Sequence, residues 1–448
     1  MSNFPENWGD LSEEQRLDHR LTAWASPGEK HFATPDAAAA YERRAMRFAD
    51  VVRLRQPDRV PRLLAAGAFV STYGGATHGE VMYDYERGAA TVIKFHEDFD
   101  LDYRAPGRAL PEPVFDRLGY VSYRWPGGTL APHQQYQAVE GEYMTVDEYD
   151  DLIADPESFL QRVYLPRIFT EVGGWSTIPS FLGSVELPFL PSMMARFGDP
   201  EVQAAFDAFL EAGAMAWDWK RAMSVVTTKV QGELGYPALT GGYTKVPFDF
   251  VGDTLRGTRG VMLDMFRDAD KLLAACEAIA PLAVRLAVDA ANTSGNPFSY
   301  VVLHKGADAF MSTDDFARFY WPGFRAIIDG MRAEGIVPLL FVEGSYDNRL
   351  DLLADAGVPS GTTLWMFDQT DMTEVKRKIG PWAGIGGNVP ASLFKVGTPE
   401  AMEAYVRELI EIAAPGGGFF LAPGAGIDDA TEDNVRAYLA AGRALGAY

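Results

Sequence analysis

The chain is poor in cysteine, with one such residue, Cys276, among 448. A single cysteine excludes a disulfide within the chain and also a zinc site built from several cysteines. Cys276 lies in the helical pattern DKLLAACEAIAPLAVRLAV, so we expect a buried, unreactive side chain. The six histidines are scattered, and no two of them have the spacing at which one helix presents a pair of metal ligands.

Basic residues are also scarce, because 40 Lys and Arg face 62 Asp and Glu and leave a net charge of −22. Binding to nucleic acid requires a basic surface, so we expect none, and anionic membrane surfaces are disfavoured for the same reason. No apolar run approaches the ~18 residues that cross a bilayer. The start, MSNFPENWGDLSEEQRLDHR, is polar and acidic and lacks the pattern of a signal peptide, which predicts a cytoplasmic protein.

Several well-known catalytic motifs are missing. The sequence contains no GxxxxGK[ST] phosphate loop, no GxGxxG after a strand, no GxSxG elbow and no HExxH pair. Any chemistry must therefore come from residues that the fold brings together.

The second half alternates between strand and helix patterns, and 47% of the chain is hydrophobic. The predicted strands lie in SYVVLHKGAD, VPLLFVEG, TTLWMFDQTD, WAGIGGNVP and GFFLAPGAGID. A helical pattern follows each of them, which indicates a parallel sheet covered by helices. Because no glycine-rich dinucleotide turn occurs, a (β/α)8 barrel is favoured over a Rossmann sheet.

The first half predicts additions to that barrel. We expect an irregular arm over residues 1–33, a helix from Thr34 and a first strand in RLLAAGAF, so that 1–58 form an N-terminal extension and 59–448 the barrel. Between about 100 and 140 the sequence is rich in Pro, Gly and Tyr and has no clear period, whereas EVQAAFDAFLEAGAMAWDWKRAM predicts a long helix. We expect the region from about 100 to 230 to be an insertion that forms a lid or pocket wall. The predicted fold class is α/β, a (β/α)8 TIM barrel with an N-terminal helical extension and an insertion in the first half.

In such a barrel the active site lies at the carboxyl ends of the strands. The residues at predicted strand ends are His304, Lys305, Glu343, Asp368, Gln369, Asp371, Asn388, Lys245, Asp249 and Asp428. Glu343 is the strongest candidate, because a glutamate directly after LLFV and before a glycine is costly unless it is used. Tyr346, three residues later, is a candidate for substrate contact.

Five segments carry a family resemblance. They are DTLRGTRGVMLDMFRDADKL, STDDFARFYWPGFRAIIDGMRAEGIVPLLFVEG, LDLLADAG, TEVKRKIGPWAGIGGNVPASLFKVGTPEAMEAYVRELI and GGGFFLAPGAGIDDATEDNVRAYLAAGRALG. In this order they resemble the uroporphyrinogen decarboxylase superfamily, which includes the corrinoid-linked methyltransferases. The early RQPDRVPRLL is similar to the opening of the family's first strand, so the resemblance covers about 45–448. It implies a (β/α)8 barrel with an open C-terminal face.

The resemblance implies one of two reactions. One branch decarboxylates the acetate arms of a porphyrinogen and carries an arginine-rich loop after strand one. Here that loop is AGAFVSTYGGATHGE and has no arginine. A substrate with many carboxylates needs cationic partners, so uroporphyrinogen decarboxylase activity itself is not expected. The other branch moves methyl groups between small substrates, thiols or folates and a corrinoid protein.

The zinc ligands of the thiol-methylating members are not retained. Those members hold zinc with a His-x-Cys-Gly stretch and a later cysteine, and soft sulfur ligands suit zinc. The matching stretch here is Phe341-Val342-Glu343-Gly344, and Ala425 stands at the later position. Glu343 therefore takes the place of a thiolate ligand, and no bound metal is predicted.

The leading hypothesis is methyl transfer between a small substrate, with a methoxylated aromatic compound as one candidate, and a separate corrinoid protein. Glu343, with its pKa raised by apolar surroundings, would donate a proton to the leaving oxygen or nitrogen. His304 and Asp368 would share this acid–base role. The predicted substrate-binding residues are Asn388, Gln369, Lys245, Tyr346 and Asp371.

The chain has no corrinoid-binding module, so we expect no tightly bound cofactor and a corrinoid supplied by the partner protein. The resemblance also implies a homodimer. Three alternatives stay open: a cofactor-free decarboxylase or lyase with His304 and Glu343 as acid and base, a metal site of His304, Glu343 and Asp368 with hard ligands, and a non-catalytic binding protein.

Overall fold

The computed structural model describes residues 4–107 and 109–448. The strands are β1 (Tyr123–Arg124), β2 (Gln137–Ala138), β3 (Gly242–Lys245), β4 (Phe298–Leu303), β5 (Val337–Val342), β6 (Leu364–Phe367), β7 (Gly384–Val389) and β8 (Phe419–Pro423). β3 to β8 form one parallel sheet in chain order, and β1 pairs with β2 in a separate antiparallel ribbon. Helices connect the parallel strands, as this topology requires.

Helices before β3 are α1 (Glu13–Ala25), α2 (Pro35–Val52), α3 (Phe69–Tyr73), α4 (His78–Tyr83), α5 (Tyr85–Asp98), α6 (Glu112–Leu118), α7 (Tyr149–Ala154), α8 (Pro156–Phe159), α9 (Leu165–Ile168), α10 (Leu190–Arg196) and α11 (Pro200–Val226). Later helices are α12 (Pro247–Phe250), α13 (Gly257–Arg267), α14 (Ala269–Ser294), α15 (Thr313–Asp315), α16 (Trp321–Ala333), α17 (Leu350–Ala354), α18 (Met372–Lys378), α19 (Ala391–Val396), α20 (Pro399–Ala413) and α21 (Glu432–Leu445). Within the described ranges, every helix is too short or too polar to cross a bilayer.

The two missing barrel positions are filled by extended segments of the first half. Leu421 of β8 donates its N–H to Pro61, and Leu63 donates back to Leu421. Asp102 then donates to Arg62, so that residues 60–64 and 101–105 continue the sheet beyond β8. With these segments the chain follows the order of a (β/α)8 barrel, and the predicted fold class is confirmed.

The register of the sheet aligns the carboxyl ends of three strands. Leu303 of β4 is paired with Val342 of β5, and Val342 is paired with Phe367 of β6. The residue that follows each strand end therefore comes to the same level at the mouth of the barrel. The strands themselves are almost wholly buried, as expected for a parallel sheet covered on both faces.

The prediction of an irregular arm over residues 1–33 is wrong for its central part. α1 begins with a capping box, in which Gln15 N–H donates to the Ser12 hydroxyl and Ser12 N–H donates to the Gln15 side chain. Its apolar residues are few and lie among charged ones, which hides the helical period. Residues 1–3 of the predicted arm lie outside the described residues.

The insertion between about 100 and 230 combines loops, the β1–β2 ribbon and α6 to α11. Part of it has a small apolar core of its own, centred on Val114, Val172, Ala205 and Ala212. The segment before α7 is joined to the barrel mouth, because Tyr143 and Met144 donate their N–H groups to Leu255.

Candidate active site

The aligned strand ends place three predicted site residues side by side. His304 follows β4, Glu343 follows β5 and Asp368 follows β6. Nε2 of His304 lies 3.6 Å from Oε2 of Glu343, which is an ion-pair separation. The Glu343 side chain is 51% exposed, so its carboxylate opens into the mouth of the barrel. Asp368 accepts the N–H of Gly344 at 3.0 Å and thereby holds the turn after Glu343.

Asp253 lies under this group and binds three cationic side chains. It stands in a π-helical turn, Val251–Leu255, after β3. Its Oδ2 is 2.5 Å from Nδ1 of His304 and 3.0 Å from Nζ of Lys245, and its Oδ1 is 2.7 Å from Nζ of Lys305. With Nδ1 held by a carboxylate, Nε2 is the ring atom that faces Glu343. Asp253, His304 and Glu343 therefore lie in series, with the 3.6 Å ion pair as the longer of the two contacts.

Asp249 has a structural role, because its fully buried carboxylate accepts hydrogen bonds from the backbone. It accepts the N–H of His304 at 3.1 Å, the N–H of Lys305 at 2.9 Å and the hydroxyl of Tyr320 at 2.6 Å. Burial and the nearby Asp253 charge raise the pKa of Asp249 to about 6. Asp249 thus fixes the end of β4 and does not open to the mouth.

The charges at the mouth favour a set of proton donors. Burial disfavours the imidazolium, but the Asp253 carboxylate outweighs this and raises the pKa of His304 above its usual range. At Asp253, burial would raise the pKa of the carboxyl group, but His304 and the two lysines outweigh burial and lower it. Partial burial raises the pKa of Glu343, against the opposing effect of His304, and burial also raises the pKa of Asp368.

An aromatic wall lines the barrel interior beneath these charges. Tyr243 of β3 and Tyr300 of β4 have ring centroids 6.3 Å apart, and Tyr300 stacks with Phe341 of β5 at 6.1 Å and 15°. Tyr243 lies two residues before Lys245, and Phe341 lies two before Glu343, so alternation directs each pair to one face of its strand. Tyr243 is 44% exposed, which shows that this interior is open.

An apolar pocket of about 440 Å³ adjoins Lys245 on the side of the insertion. Its apolar walls come from the insertion, from the segment after β3 and from α14, through residues that include Leu152, Leu160, Tyr164, Phe250, Ile279, Leu282 and Leu286. The pocket is thus connected to the charged group through Lys245, whose Nζ binds Asp253.

Three predicted binding residues lie in a second cavity, of about 460 Å³, which is lined in part by α18 and α20. These are Asn388, Gln369 and Asp371. Asn388 donates to the carbonyl of Thr370 and accepts from the Tyr405 hydroxyl, while Asp371 caps α18. Gln369 connects this cavity to the charged group at the mouth, because its amide donates to Asp368 at 3.3 Å.

Tyr346 lies away from both cavities. Its side chain is fully buried, its N–H donates to the Thr370 hydroxyl at 3.0 Å and its ring meets Phe316 edge-on. A substrate at the mouth has no access to this side chain in the structure. Asp428, the strand-end candidate after β8, accepts the N–H of Ala68 at 2.9 Å and so binds the end of the first barrel segment.

The strand-end rule, by which active-site residues directly follow the barrel strands, did not select Asp253, Tyr243 or Tyr300. Asp253 follows Asp249 by four residues in PFDFVGD, a spacing that places two acids on one side of a helical turn, and this was the available signal. The two tyrosines lie within strands, where an aromatic residue is more often plain core. Tyr243 and Tyr300 differ from ordinary core aromatic residues only because the barrel interior that they line is partly open.

The donor atoms at the mouth do not fit the zinc site of the thiol-methylating relatives. The Phe341 ring stacks on Tyr300, Glu343 offers hard oxygen and Ala425 offers no donor. Among residues 4–107 and 109–448, no three His, Cys, Asp or Glu side chains are grouped so that they could hold a metal ion. We therefore derive no step through zinc.

Fold and site together define an α/β barrel with acid–base residues at the carboxyl ends of its strands. The profile of the family described as Uroporphyrinogen decarboxylase (URO-D) matches residues 218–445, half of the chain. The chain belongs to this family, and the resemblance inferred from the sequence is confirmed. Membership supports an enzyme.

Among solved structures, a methyltransferase from Methanosarcina mazei is similar, with a TM-score of 0.59 and 17% identity over 90% of this chain and 98% of its own. At this identity the likeness concerns the fold. A B12-independent methionine synthase from Shewanella sp. W3-18-1, in complex with selenomethionine, matches at a TM-score of 0.32 and 10% identity over 45% of this chain and 59% of its own. No curated protein sequence matches the chain.

Proposed function

We propose that this member of the family is a methyltransferase that moves a methyl group between a small substrate and the corrinoid of a separate protein. The observation that carries the proposal is the Asp253–His304–Glu343 array, whose last two members have raised pKa values at an open barrel mouth. Such an array holds a proton ready for a poor leaving group.

The chain's own residues would supply the proton in demethylation. As the C–O bond of a methyl ether breaks, the methyl group passes to the nucleophile and the oxygen keeps the bonding electrons. Glu343 donates a proton to this oxygen, so that an alcohol or phenol leaves instead of an anion. His304 returns a proton to Glu343 from Nε2, and Asp253 stabilises the imidazolium until then. When the partner is bound, its reduced corrinoid supplies the nucleophile.

The wall of the site supports an aromatic ether as the substrate. A flat ring can stack against Tyr243, Tyr300 and Phe341, since aromatic rings prefer offset or edge-on neighbours. The adjoining pocket, at about 440 Å³, lies within the range of small-molecule sites, roughly 300–1,000 Å³.

A decarboxylase or lyase is the second candidate. Lys245 and Lys305 could bind a substrate carboxylate, and Glu343 could then protonate the carbanion that remains after loss of CO2. Both ammonium groups are already paired with Asp253, and this pairing favours methyl transfer over decarboxylation.

The test uses free reduced cobalamin as acceptor and a series of methoxylated benzenes as donors, followed by the cobalamin spectrum and by chromatography of the phenol. We expect turnover by the wild-type chain and a loss of roughly 10²–10⁴-fold in kcat for Glu343→Gln, the range for a general acid. Glu432→Gln, an exposed glutamate that pairs with Arg436 on α21, is the matched control and keeps full activity.

Two outcomes would contradict the proposal. Full activity of Glu343→Gln would remove the assigned proton donor. Release of CO2 from an aromatic acid without cobalamin, lost in the same variant, would assign the site to the decarboxylase alternative.

A further inference from the structure

A small cavity beside α2 is lined by five arginines, although the chain as a whole is acidic. The cavity has a volume of about 210 Å³, and among the described residues Asp100 is the one acid that lines it. The five basic residues are Arg43, Arg44, Arg47, Arg59 and Arg443. Acidic side chains outnumber basic ones by 62 to 40 in the sequence, so this local concentration of positive charge runs against the composition.

Two of the arginines are balanced by acids beside the cavity. Arg47 binds Asp58 and Asp102, each at 2.6 Å, and Arg59 also binds Asp102 at 2.6 Å. These four side chains carry two charges of each sign and form a neutral floor. Burial and repulsion from Arg62 and Arg47 nevertheless lower the pKa of Arg59 in spite of Asp102, so positive charge is crowded at this point.

The other arginines share one carboxylate. Asp100 lies 2.9 Å from Arg62, which holds it from below. Arg44 and Arg443 lie farther from it, at 3.5 Å and 3.6 Å. In the part of the chain that the structure describes, the Arg43 guanidinium has no ion pair and no hydrogen bond. Four guanidinium groups thus face one carboxylate, which leaves an excess of three positive charges.

The cavity has a rigid side and an exposed side. Arg44 donates to three backbone carbonyls, and its guanidinium lies 3.8 Å from the centre of the Tyr236 ring. These contacts fix the plane of the group and leave Nη2 directed at Asp100. Arg443, by contrast, is 73% exposed and free to turn toward a ligand. A site that is largely fixed before binding loses little conformational entropy when it binds.

The spacing within α2 costs stability unless an anion is bound. Arg43 and Arg47 are four residues apart, so they are neighbours on one side of the helix, where like charges destabilise it. Ala40, three residues before Arg43, lines the same cavity, and its short side chain leaves the space between the guanidinium groups open. An anion in this space replaces the repulsion by charge-assisted hydrogen bonds.

The cavity lies at the end of the barrel opposite to the candidate active site. Arg62 pairs in parallel with Leu421 of β8, and Arg59 stands just before this extended segment. The arginines are therefore at the amino ends of the barrel segments, whereas His304 and Glu343 follow the carboxyl ends. A ligand bound among the arginines does not meet the candidate acid–base residues.

We propose that this cavity binds a compact, multiply charged oxyanion of the phosphate or pyrophosphate class. Arginine suits such a ligand, because its planar fork of donors matches two oxygens of a phosphate at once. At about 210 Å³ the cavity is smaller than the roughly 300–1,000 Å³ of sites for whole small molecules, so it fits a small anion or the charged end of a larger ligand. The inference does not depend on the proposed reaction.

Isothermal titration calorimetry of the full chain with inorganic pyrophosphate tests the inference. We expect one site per chain and an affinity that weakens as the salt concentration rises, since salt screens the arginine charges. The double variant Arg43→Gln with Arg443→Gln should weaken binding by about tenfold or more, because it removes charged hydrogen-bond donors.

The matched control is Arg285→Gln with Arg407→Gln. These two residues are also exposed on helices, one without an ion pair among the described residues and one paired with a single acid, Glu403. The control changes the net charge by the same amount at a distance from the cavity, and it should bind pyrophosphate as the wild type does. Orthophosphate and ADP serve as further ligands. Tighter binding of ADP than of pyrophosphate identifies the phosphates of a nucleotide as the source, and equal binding identifies free phosphate.

Urea unfolding gives a second measurement, which separates a binding site from a merely structural cluster. Pyrophosphate should raise the midpoint of the wild type and leave that of the double variant unchanged, because a ligand stabilises only the state that binds it. Without pyrophosphate, the double variant should unfold no more easily than the wild type, since it relieves repulsion. Undetectable binding, unweakened binding by the double variant, or a loss of its stability without ligand would each overturn the inference. Sulfate that binds as strongly as pyrophosphate would indicate an adventitious ion only.

Discussion

One carboxylate, Asp253, raises the pKa of the imidazole beside it. It binds His304, Lys245 and Lys305 from two strand ends, and each of these groups is largely buried. Burial alone would lower the pKa of His304, so the charge of Asp253 is what raises it. Glu343 faces this ring on one side and the open mouth on the other. In the proposed reaction, the role of Glu343 thus depends on a residue that no substrate need touch.

We predict that Asp253→Asn lowers the pKa of His304, because burial and the lysine charge then oppose the imidazolium and only Asp249 still favours it. Titration of the histidine C2 protons by NMR measures this change. His96 is an internal control in the same spectrum, since burial lowers its pKa to about 4 and Asp253 is not among its neighbours. An unchanged His304 titration would contradict the assignment.

The loss of stability in the same variant, Asp253→Asn, should depend on pH. The raised pKa of His304 adds stability that is complete below its unfolded value of about 6.5 and is lost as pH rises through the folded value. The lowered pKa of Asp253 adds stability above its unfolded value of about 3.9, and this is lost as pH falls through the folded value. Urea unfolding should therefore show the largest gap between wild type and Asp253→Asn from about pH 4 to 6.5.

At the scale of elements, the strands and helices of the second half were predictable. Their hydrophobic patterns extend over many residues and agree with the capping, proline and glycine residues at their ends. β4 to β8 are short buried apolar runs, and α20 begins at a Thr398 cap followed by Pro399, as the sequence indicates. The first half was less predictable. Residues 60–64 and 101–105 are held by few backbone hydrogen bonds, and α1 buries only a narrow stripe.

The strand-end rule predicted the site where a residue directly follows its strand. His304 and Glu343 meet because the register of β4 and β5 continues one residue further. Beyond that residue the loop decides the direction of the side chain, and the rule loses its basis. Tyr346 turns into the core and Asp371 becomes a helix cap for this reason. Asp253 joins His304 across 51 residues of sequence, a contact that only the folded chain defines.

Close packing of β7 against β8 gives a prediction for one glycine. A Cβ placed on Gly386 would overlap the ring of Phe420 on the neighbouring strand, and Phe420 is itself packed against Phe48. Gly386→Ala should lower the free energy of unfolding by roughly 1–3 kcal/mol, as overpacking in a core does. Urea denaturation followed by circular dichroism measures it.

The matched control for this prediction is a double-mutant cycle. Phe420→Leu removes ring atoms that the new methyl group would strike, so the double variant should cost less than the sum of the single changes by about 1 kcal/mol. Additive costs would show that the glycine is required for another reason.

At the scale of the whole molecule, the N-terminal extension and the barrel share one core. Trp24 of α1 meets Phe298 of β4 edge-on at 4.9 Å, and its indole N–H donates to the carbonyl of Ala238 at 3.2 Å. Buried Asp102 binds Arg47 of α2 at 2.6 Å and also Arg59, which ties the second helix to the first barrel segment. The predicted boundary at residue 58 therefore crosses a continuous set of contacts.

This continuity predicts that a chain beginning at Pro35 unfolds several kcal/mol more easily than the full chain. The deletion exposes the surface that Leu17, Leu21 and Trp24 cover, and each such side chain contributes roughly 1.5–3 kcal/mol by burial. Urea unfolding followed by both circular dichroism and tryptophan fluorescence should give one coincident transition in the full chain.

Two point variants sharpen this test. In the full chain, Trp24→Ala should account for roughly 3–5 kcal/mol, the usual cost of removing a buried tryptophan. Glu14→Ala, an exposed change in the same helix, should leave the midpoint unaltered. A shortened chain that unfolds at the full-length midpoint would instead make the extension a separate appendage. That result would be unexpected, because removal of α1 exposes apolar surface beside β4 to water. Exposure of this surface should destabilise β4, the strand that positions His304.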